Sequence, residues 1–211
     1  MTVPRGYCVD TAHRHLRAVD PELKRWIRRI GPMSADPRWT QRFDLVDALA
    51  RAILFQQLSG KAAATIVGRV ERACGGRVLR ADRITSLSDE ALRSCGVSRN
   101  KSLALRDLCA RALDGELPRT AELNRLPEDA IVERLVTVRG IGRWTVEMLL
   151  MSRLGRPDVF PVDDLGIRKG VARLRGLAEM PTPKQTMELG AVWAPYRSLA
   201  CSYLWRIADA A

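Results

Sequence analysis

The feature that most constrains the fold is a succession of short helical segments, each with its own start and stop signals. Asp20 and Pro21 are typical of a helix N-cap and first turn, and the stretch PELKRWIRRI that follows ends at Gly31. Comparable helical segments begin near residues 45, 59, 88, 100, 127, 143, 165, 183 and 195. No alternating run of apolar and polar residues is long enough to predict a strand. The sequence therefore predicts an all-α protein.

A glycine turn joins two of these segments in LVTVRGIGRWTVEMLL. The spacing predicts that the first helix ends near Val138 and the second starts near Arg143, with Gly140 and Gly142 in the turn. Backbone amides at the start of a helix favour an anion, and a DNA phosphate suits such a site. An ordinary tight helix–helix turn is the alternative for so short a motif.

The charge balance narrows the choice of partner. A net charge of +11 on 211 residues favours a polyanion such as nucleic acid, although a generally basic surface is the alternative. No apolar run approaches the roughly 18 residues that span a bilayer, and the N-terminus lacks the pattern of a secretory signal. We therefore expect a soluble, intracellular protein without a membrane partner.

The cysteine pattern bears on cofactors. Five cysteines occur at positions 8, 74, 95, 109 and 201, with no CxxC pair and no histidine at zinc-ligand spacing. We expect buried, reduced thiols. The spacing also argues against an iron–sulfur cluster, which needs four suitably placed cysteines.

Several motifs together resemble a known family. The residues GIGRWT, with Leu135 five positions before Gly140 and PVDD downstream, resemble the helix-hairpin-helix (HhH-GPD) DNA glycosylases, as do AILFQQLSGKAAATIVGRV and PYRSLACSYLW. The resemblance covers roughly residues 14 to 207 and is greatest to the alkylation-repair branch, the DNA-3-methyladenine glycosylase II type. It implies an endonuclease III-like fold of two helical lobes, with a DNA-binding cleft between them.

The loop SRLGRPDVFPVDD contains the weak break in helical periodicity. We expect one lobe over residues 43–154, ending in the helix-hairpin-helix. Residues 1–42 and 155–211 form the second lobe, which carries the catalytic aspartate.

The acidic pair Asp163 and Asp164 follows Pro161. Cleavage of an N-glycosidic bond builds positive charge on the sugar, which a fixed carboxylate stabilises. The resemblance places the catalytic aspartate second, at Asp164, so Asp163 is the expected helix cap. Neither His13 nor His15 is expected nearby; a ring-alkylated base is already cationic and leaves without a proton donor.

The resemblance also separates two reaction types. Relatives of the endonuclease III kind carry a lysine two residues after the second hairpin glycine, where its amine attacks the sugar. This sequence has Trp144 there. We therefore expect a monofunctional glycosylase acting on alkylated purines such as 3-methyladenine in duplex DNA. A bifunctional oxidised-base glycosylase/lyase and a non-catalytic helix-hairpin-helix DNA-binding protein are the alternatives.

The resemblance assigns further residues to the site. Trp144, Met148 and Tyr196 are expected to line the base pocket, with core packing as the alternative. Either Gln57 or Leu58 is expected to fill the gap left by the flipped base, with Gln56 beside it. The expected DNA contacts are Gln56, Gln57, Leu58, Arg139, Gly140, Gly142, Arg143 and Thr145.

The family hairpin holds a monovalent cation on backbone carbonyls. By position these belong to Val136, Val138 and Gly140, and the ion is Na⁺ or K⁺. The family usually has a proline where this chain has Arg139, which leaves open a phosphate contact by that arginine. No other cofactor is expected, and the protein is expected to act as a monomer.

Overall fold

The computed structural model of the protein describes residues 5–210, which form helices joined by short turns, without a β-strand in that range. The all-α prediction is confirmed. The helices are α1 (Val9–Val19), α2 (Pro21–Ile30), α3 (Leu45–Phe55), α4 (Gly60–Ala73), α5 (Ala81–Ser86), α6 (Asp89–Ser94), α7 (Arg99–Leu113), α8 (Thr120–Leu123), α9 (Glu128–Leu135), α10 (Arg143–Ser152), α11 (Leu165–Leu174), α12 (Pro183–Gly190) and α13 (Arg197–Asp209), with short 3₁₀ helices at Pro37–Trp39 and Ala191–Trp193.

The helix boundaries follow the capping residues. The side chain of Asp20 accepts the amides of Glu22 and Leu23, and that of Ser59 accepts the amide of Ala62. These bonds satisfy first-turn donors that have no partner inside the helix, so both predicted caps are confirmed.

The helix before the glycine turn is shorter than predicted. It ends at Leu135 rather than near Val138. The amide of Val138 donates to the carbonyl of Leu135 at 3.2 Å, so the chain has already entered a turn. Apolar side chains at both positions are buried, which is why hydrophobicity alone did not reveal the end of the helix.

By its backbone contacts, the described chain divides into two compact units. The first unit contains residues 42–146. Its core forms between α3 and α7, where Leu49 and Ile53 on one helix and Leu105 and Leu108 on the other are at most 1% exposed.

The second unit contains residues 5–41 and 147–210. Its core is built on α11 and α13, from which Ile167, Val171, Leu204 and Ile207 are fully buried. Phe160 packs edge-on against Trp193, with ring centroids 5.8 Å apart. The start of α11 is therefore held on a well-packed base.

The division between the units falls within α10, and not in the Gly/Pro-rich loop after it. The C-terminal end of α10 and the residues just after it are bonded to the N-terminal segment. The Trp39 indole donates to the carbonyl of Met151, and the amide of Gly6 donates to the carbonyl of Leu154. These bonds assign that end of the helix to the second unit.

Four of the five cysteines, at 74, 95, 109 and 201, are buried as free thiols, as predicted, whereas Cys8 is exposed. Over residues 5–210 no helix is both long enough and apolar enough to cross a membrane.

Candidate functional site

Asp164 is fixed at the start of α11 by two hydrogen bonds to one carboxylate oxygen. Its Oδ1 accepts the backbone amide of Ile167 at 2.8 Å and the indole N–H of Trp205 at 3.0 Å. The residue is partly exposed, whereas Asp163 is exposed. Asp164, and not Asp163, is thus the cap of this helix, and the expectation for Asp163 was wrong. A single carboxylate can both cap a helix and face solvent, a combination that sequence reasoning treated as exclusive.

Gly166 provides the space for the indole. A side chain at this position would place its Cβ 2.7 Å from Cδ1 of Trp205 and 3.1 Å from Oδ1 of Asp164. Any Cβ would therefore push the indole away from the carboxylate. The glycine between the aspartate and Ile167 is what lets α13 approach the start of α11 so closely.

The negative charge of Asp164 affects the ionisation of a buried neighbour, Cys201. Burial raises the pKa of the Cys201 thiol well above its usual range, and the carboxylate of Asp164 raises it further. Cys201 is therefore neutral at physiological pH. A fixed anion at this position would be available to stabilise a cation at the protein surface.

A cavity of about 910 Å³ lies in the second unit, and Trp205, whose indole donates to Asp164, is one of its lining residues. Apolar and aromatic side chains contribute much of its lining, together with polar ones, and they include Tyr7, Trp39, Met148, Met151, Leu199 and Trp205. Trp205 thus both lines the cavity and holds the carboxylate. Met148, a predicted pocket residue, is part of this lining.

Tyr196, the second predicted pocket residue in this unit, lies next to Tyr7, with ring centroids 6.0 Å apart. The ring of His15 packs edge-on against Tyr196 at 5.4 Å. His15 therefore lies next to a predicted pocket residue that is distant in sequence, because α1 lies against the segment before α13. The expectation that neither histidine would be nearby was wrong for His15. Burial raises the pKa of Tyr7, which stays a neutral phenol capable of donating a hydrogen bond.

The glycine turn belongs to the first unit. Gly140 has φ +79°, a conformation that glycine adopts readily, and a Cβ there would lie 3.1 Å from the Cβ of Ala104 on α7. The neighbouring amide of Arg139 donates to Oδ2 of Asp107 at 2.8 Å. The backbone of the turn is therefore held against α7.

Side chains around this turn are arranged as a basic surface. Arg139 and Arg143 are exposed, and the amides at the start of α10 lie at the positive end of its dipole. Trp144 is 48% exposed and does not pack in the core. Thr145 is only 8% exposed, so its hydroxyl is poorly placed for an outside ligand and its backbone is the part nearer the surface.

Residues 56–59, here called the 56–59 loop, connect α3 to α4 in the same unit. The side-chain amide of Gln56 donates to the carbonyl of Gly140 at 2.8 Å. Gln57 has φ +57°, a left-handed conformation that costs a non-glycine residue on the order of 1–3 kcal/mol. Gln57 is exposed, and Leu58 is 40% exposed. The loop therefore presents both predicted insertion residues to solvent.

Two of the three carbonyls predicted to hold a cation also accept a hydrogen bond. The carbonyl of Val138 accepts the amide of Ile141, and that of Gly140 accepts Gln56. Each carbonyl oxygen has a second lone pair, and such oxygens are ligands that Na⁺ and K⁺ accept. The donor chemistry therefore fits a monovalent cation. Elsewhere, residues 5–210 contain no group of three or more His, Cys, Asp and Glu side chains that could hold a metal ion.

Sequence reasoning missed two residues of the aspartate site, Trp205 and Gly166. Both lie in segments correctly predicted to be helical. The signal that could have revealed them is a tryptophan in the last helix and a small residue two positions after the acid, but their meaning depends on how α11 and α13 pack.

Comparison with known proteins identifies the family. Residues 50–195 match the family described as "HhH-GPD superfamily base excision DNA repair protein". DNA-3-methyladenine glycosylase 1 of Schizosaccharomyces pombe is 35% identical over 196 residues, covering 92% of this chain and 86% of the relative.

Two solved structures have the same fold. The S. pombe 3-methyladenine DNA glycosylase in complex with abasic DNA has a TM-score of 0.85 at 35% identity, covering 95% of this chain and 98% of the relative. The DNA-3-methyladenine glycosidase of Bacillus halodurans has a TM-score of 0.82 at 36% identity, covering 93% of this chain and 88% of the relative.

Proposed function

Because the chain belongs to the HhH-GPD superfamily of base excision DNA repair proteins, we propose that it is a DNA-3-methyladenine glycosylase. It hydrolyses the N-glycosidic bond of alkylated purines in duplex DNA and leaves an abasic site. The observation that carries this proposal is the fixed, partly exposed carboxylate of Asp164, held by the amide of Ile167 and by the indole of Trp205, which lines a cavity.

Asp164 supplies the charge for the reaction. As the bond between C1′ and the base nitrogen breaks, its electron pair leaves with the base and positive charge develops on the sugar. A carboxylate held in place before the reaction stabilises that charge without reorganising. A water molecule then adds at C1′, and its proton passes to solvent.

The leaving group explains why one acid suffices. A purine alkylated at N3 or N7 carries positive charge before the reaction and becomes neutral when it departs. No proton donor is required, so the reaction needs no proton from Tyr7 or His15. An exposed indole such as Trp144 favours a cationic base by roughly 0.5–2 kcal/mol. This is a modest preference, so easier flipping and a better leaving group contribute most of the selectivity.

The glycine turn and the 56–59 loop supply the DNA contacts. Arg139, Arg143 and the amides at the start of α10 hold a phosphate without reading sequence. Gln57 or Leu58 enters the duplex where the base has been flipped out. A Na⁺ or K⁺ ion on the turn carbonyls of Val136, Val138 and Gly140 would add positive charge next to that phosphate. No other cofactor is needed.

The residue that separates this enzyme from a lyase is Trp144. An indole cannot form a Schiff base with the sugar, and so the reaction stops at the abasic site. Met148 and Tyr196, both in the second unit, are the residues there that we expect to contact the flipped base. The protein acts as a monomer inside the cell, on double-stranded DNA that contains alkylated bases.

The experiment is incubation with DNA methylated by a small alkylating agent, followed by chromatography of the released bases. We expect free 3-methyladenine and alkali-sensitive abasic sites, with no protein–DNA adduct after borohydride reduction. An adduct would instead support the glycosylase/lyase, and DNA binding without release of any base would support a non-catalytic binding protein.

A further inference from the structure

One side of α7 contacts both segments of the first unit that the proposed function assigns to DNA. Lys101, Ala104 and Asp107 follow each other at a spacing of three residues, which places them on neighbouring turns of the helix. Ala104 lies close to Gly140, since a Cβ added there would be 3.1 Å from its own, and Asp107 accepts the amide of Arg139. Lys101 contacts the other segment, the 56–59 loop.

The contact of Lys101 is a double hydrogen bond to the C-terminal end of α3. Its Nζ donates to the carbonyl of Leu54 and to the carbonyl of Gln56, both at 2.8 Å. Carbonyls in the last turn of a helix lack partners within the helix and carry the negative end of its dipole, so a positive charge there is favourable. Burial lowers the pKa of Lys101, because the amine is partly withdrawn from solvent.

Gln56 connects the two segments. Its backbone carbonyl accepts Lys101, and its side-chain amide donates to the carbonyl of Gly140. Both ends of this residue are therefore held. The next residue, Gln57, must leave α3 in the left-handed conformation seen at φ +57°, and this exposes it together with Leu58.

We propose that Lys101 is a positioning residue for base flipping, which clamps the end of α3 so that the 56–59 loop is held in its insertion conformation. This inference rests on the proposed function, since it assigns a role in that same reaction. Lys101 does not touch the substrate. It acts through Gln56, and it sets the loop at a fixed position relative to the glycine turn.

This role differs from that of a phosphate-binding lysine in a measurable way. The amine of Lys101 is directed at two protein carbonyls, so its loss should leave the number of phosphates that the protein neutralises unchanged. Loss of one phosphate contact reduces the slope of log affinity against log salt concentration by about 0.9 on duplex DNA. Loss of a positioning residue leaves that slope as it is.

The test compares Lys101→Met with Lys184→Met, which removes the same charge from an exposed position on α12. Three quantities are measured on the full chain. They are the single-turnover rate of base release from methylated DNA, the salt dependence of affinity for abasic-site DNA, and hydrogen exchange in peptides covering residues 54–60. Lys101→Gln keeps one donor without the charge and serves as a second variant if Lys101→Met folds poorly.

For Lys101→Met we expect release to slow roughly 10- to 100-fold, because small displacements of positioning groups cost rates of this order. Exchange in residues 54–60 should increase, and the salt slope should match that of Lys184→Met. Lys101→Gln should lie between the two. A purely structural lysine would lower the folded fraction but leave the rate per folded molecule intact.

Base release and loop exchange equal to those of Lys184→Met would overturn the inference, as would a salt slope that falls by about 0.9. The proposed function fails separately, if the unmodified protein releases no methylated base. In that case the exchange of residues 54–60 still decides whether Lys101 holds the loop.

Discussion

The starts of α2 and α11 are built from the same parts and have different surroundings. Asp20 and Asp164 each cap their helix by accepting a backbone amide three residues ahead, and each accepts an indole N–H. Asp20 has a side chain that is 1% exposed, whereas Asp164 is partly exposed and is bonded to Trp205, which lines the cavity. The same local motif therefore serves packing in one region and presents a carboxylate in the other.

A positively charged neighbour balances the negative charge of Asp20. Arg175 donates to its Oδ2 at 2.6 Å, and the indole of Trp193 donates to the same oxygen at 2.8 Å. Burial by itself would raise the pKa of Asp20, but the hydrogen bonds from Arg175, from the amide of Leu23 and from Trp193 outweigh it and lower the pKa. This charge is matched inside the protein and has no role at the surface.

A cap hydrogen bond therefore does not distinguish a structural acid from one proposed to be catalytic. In both regions the cap only fixes the carboxylate. What differs is exposure: the carboxylate of Asp20 is buried and paired with Arg175, whereas that of Asp164 is partly exposed and is held by Trp205, a lining residue of the cavity. Four predictions test this difference.

The largest effect is expected for Asp164→Asn. Asparagine caps a helix about as well as aspartate, so stability and DNA binding should be retained. Loss of the negative charge should slow base release by at least about 10²- to 10³-fold. Asp163→Asn, at the exposed neighbouring position, is the matched control and should keep full activity. Single-turnover assays check both, and comparable rates for the two variants would contradict the assignment of Asp164.

Asp20→Asn should have the opposite effect, with lower stability and unchanged base release. Arg175 would lose its buried counter-charge, which costs roughly 3–5 kcal/mol of unfolding free energy. We expect the lower end of this range, because Arg175 also pairs with Glu22 at 2.6 Å. Denaturant unfolding gives the stability, and base release per folded molecule should remain normal. A normal stability together with a lost activity would show that the two acids have been assigned the wrong way round.

Substitutions of the two indoles should differ in the same way, one affecting the rate of base release and the other affecting stability. Trp205→Phe removes a hydrogen bond to the carboxylate of Asp164 and should slow base release about tenfold, the equivalent of one bond to a charged group. Trp193→Phe removes the matching bond to Asp20 and should lower stability while leaving the rate per folded molecule unchanged. Equal effects of both variants on the rate would mean that neither indole positions the catalytic group.

The smallest effect is expected in the pH dependence of stability. Because the pKa of Asp20 is lowered in the folded protein, its contribution is complete above the ordinary value of 3.8 and is lost as the pH falls through the lower folded value. Unfolding free energies measured between about pH 5 and pH 2 should therefore decline less steeply in Asp20→Asn than in the unmodified protein. Parallel curves would indicate that Asp20 keeps its ordinary pKa.

Much of the fold followed from local signals. The caps at Asp20 and Ser59 and the glycines that end helices act within a few residues, so their effect can be predicted from neighbouring sequence. The roles of Lys101 and Trp205 could not be predicted in this way. Their partners, the carbonyl of Gln56 and the carboxylate of Asp164, are 45 and 41 residues away along the chain.

The sequence by itself determined that the chain is all-helical, that a glycine turn precedes α10, and that it belongs to a DNA repair family. These properties depend on short-range periodicity, on capping and on motifs that are read directly from residue order. Tertiary structure alone decided which indole holds Asp164, which carbonyls accept Lys101, and where α10 passes from one unit to the other. Hydrogen bonds and close approaches between distant segments set these features, and residue order does not record such distances.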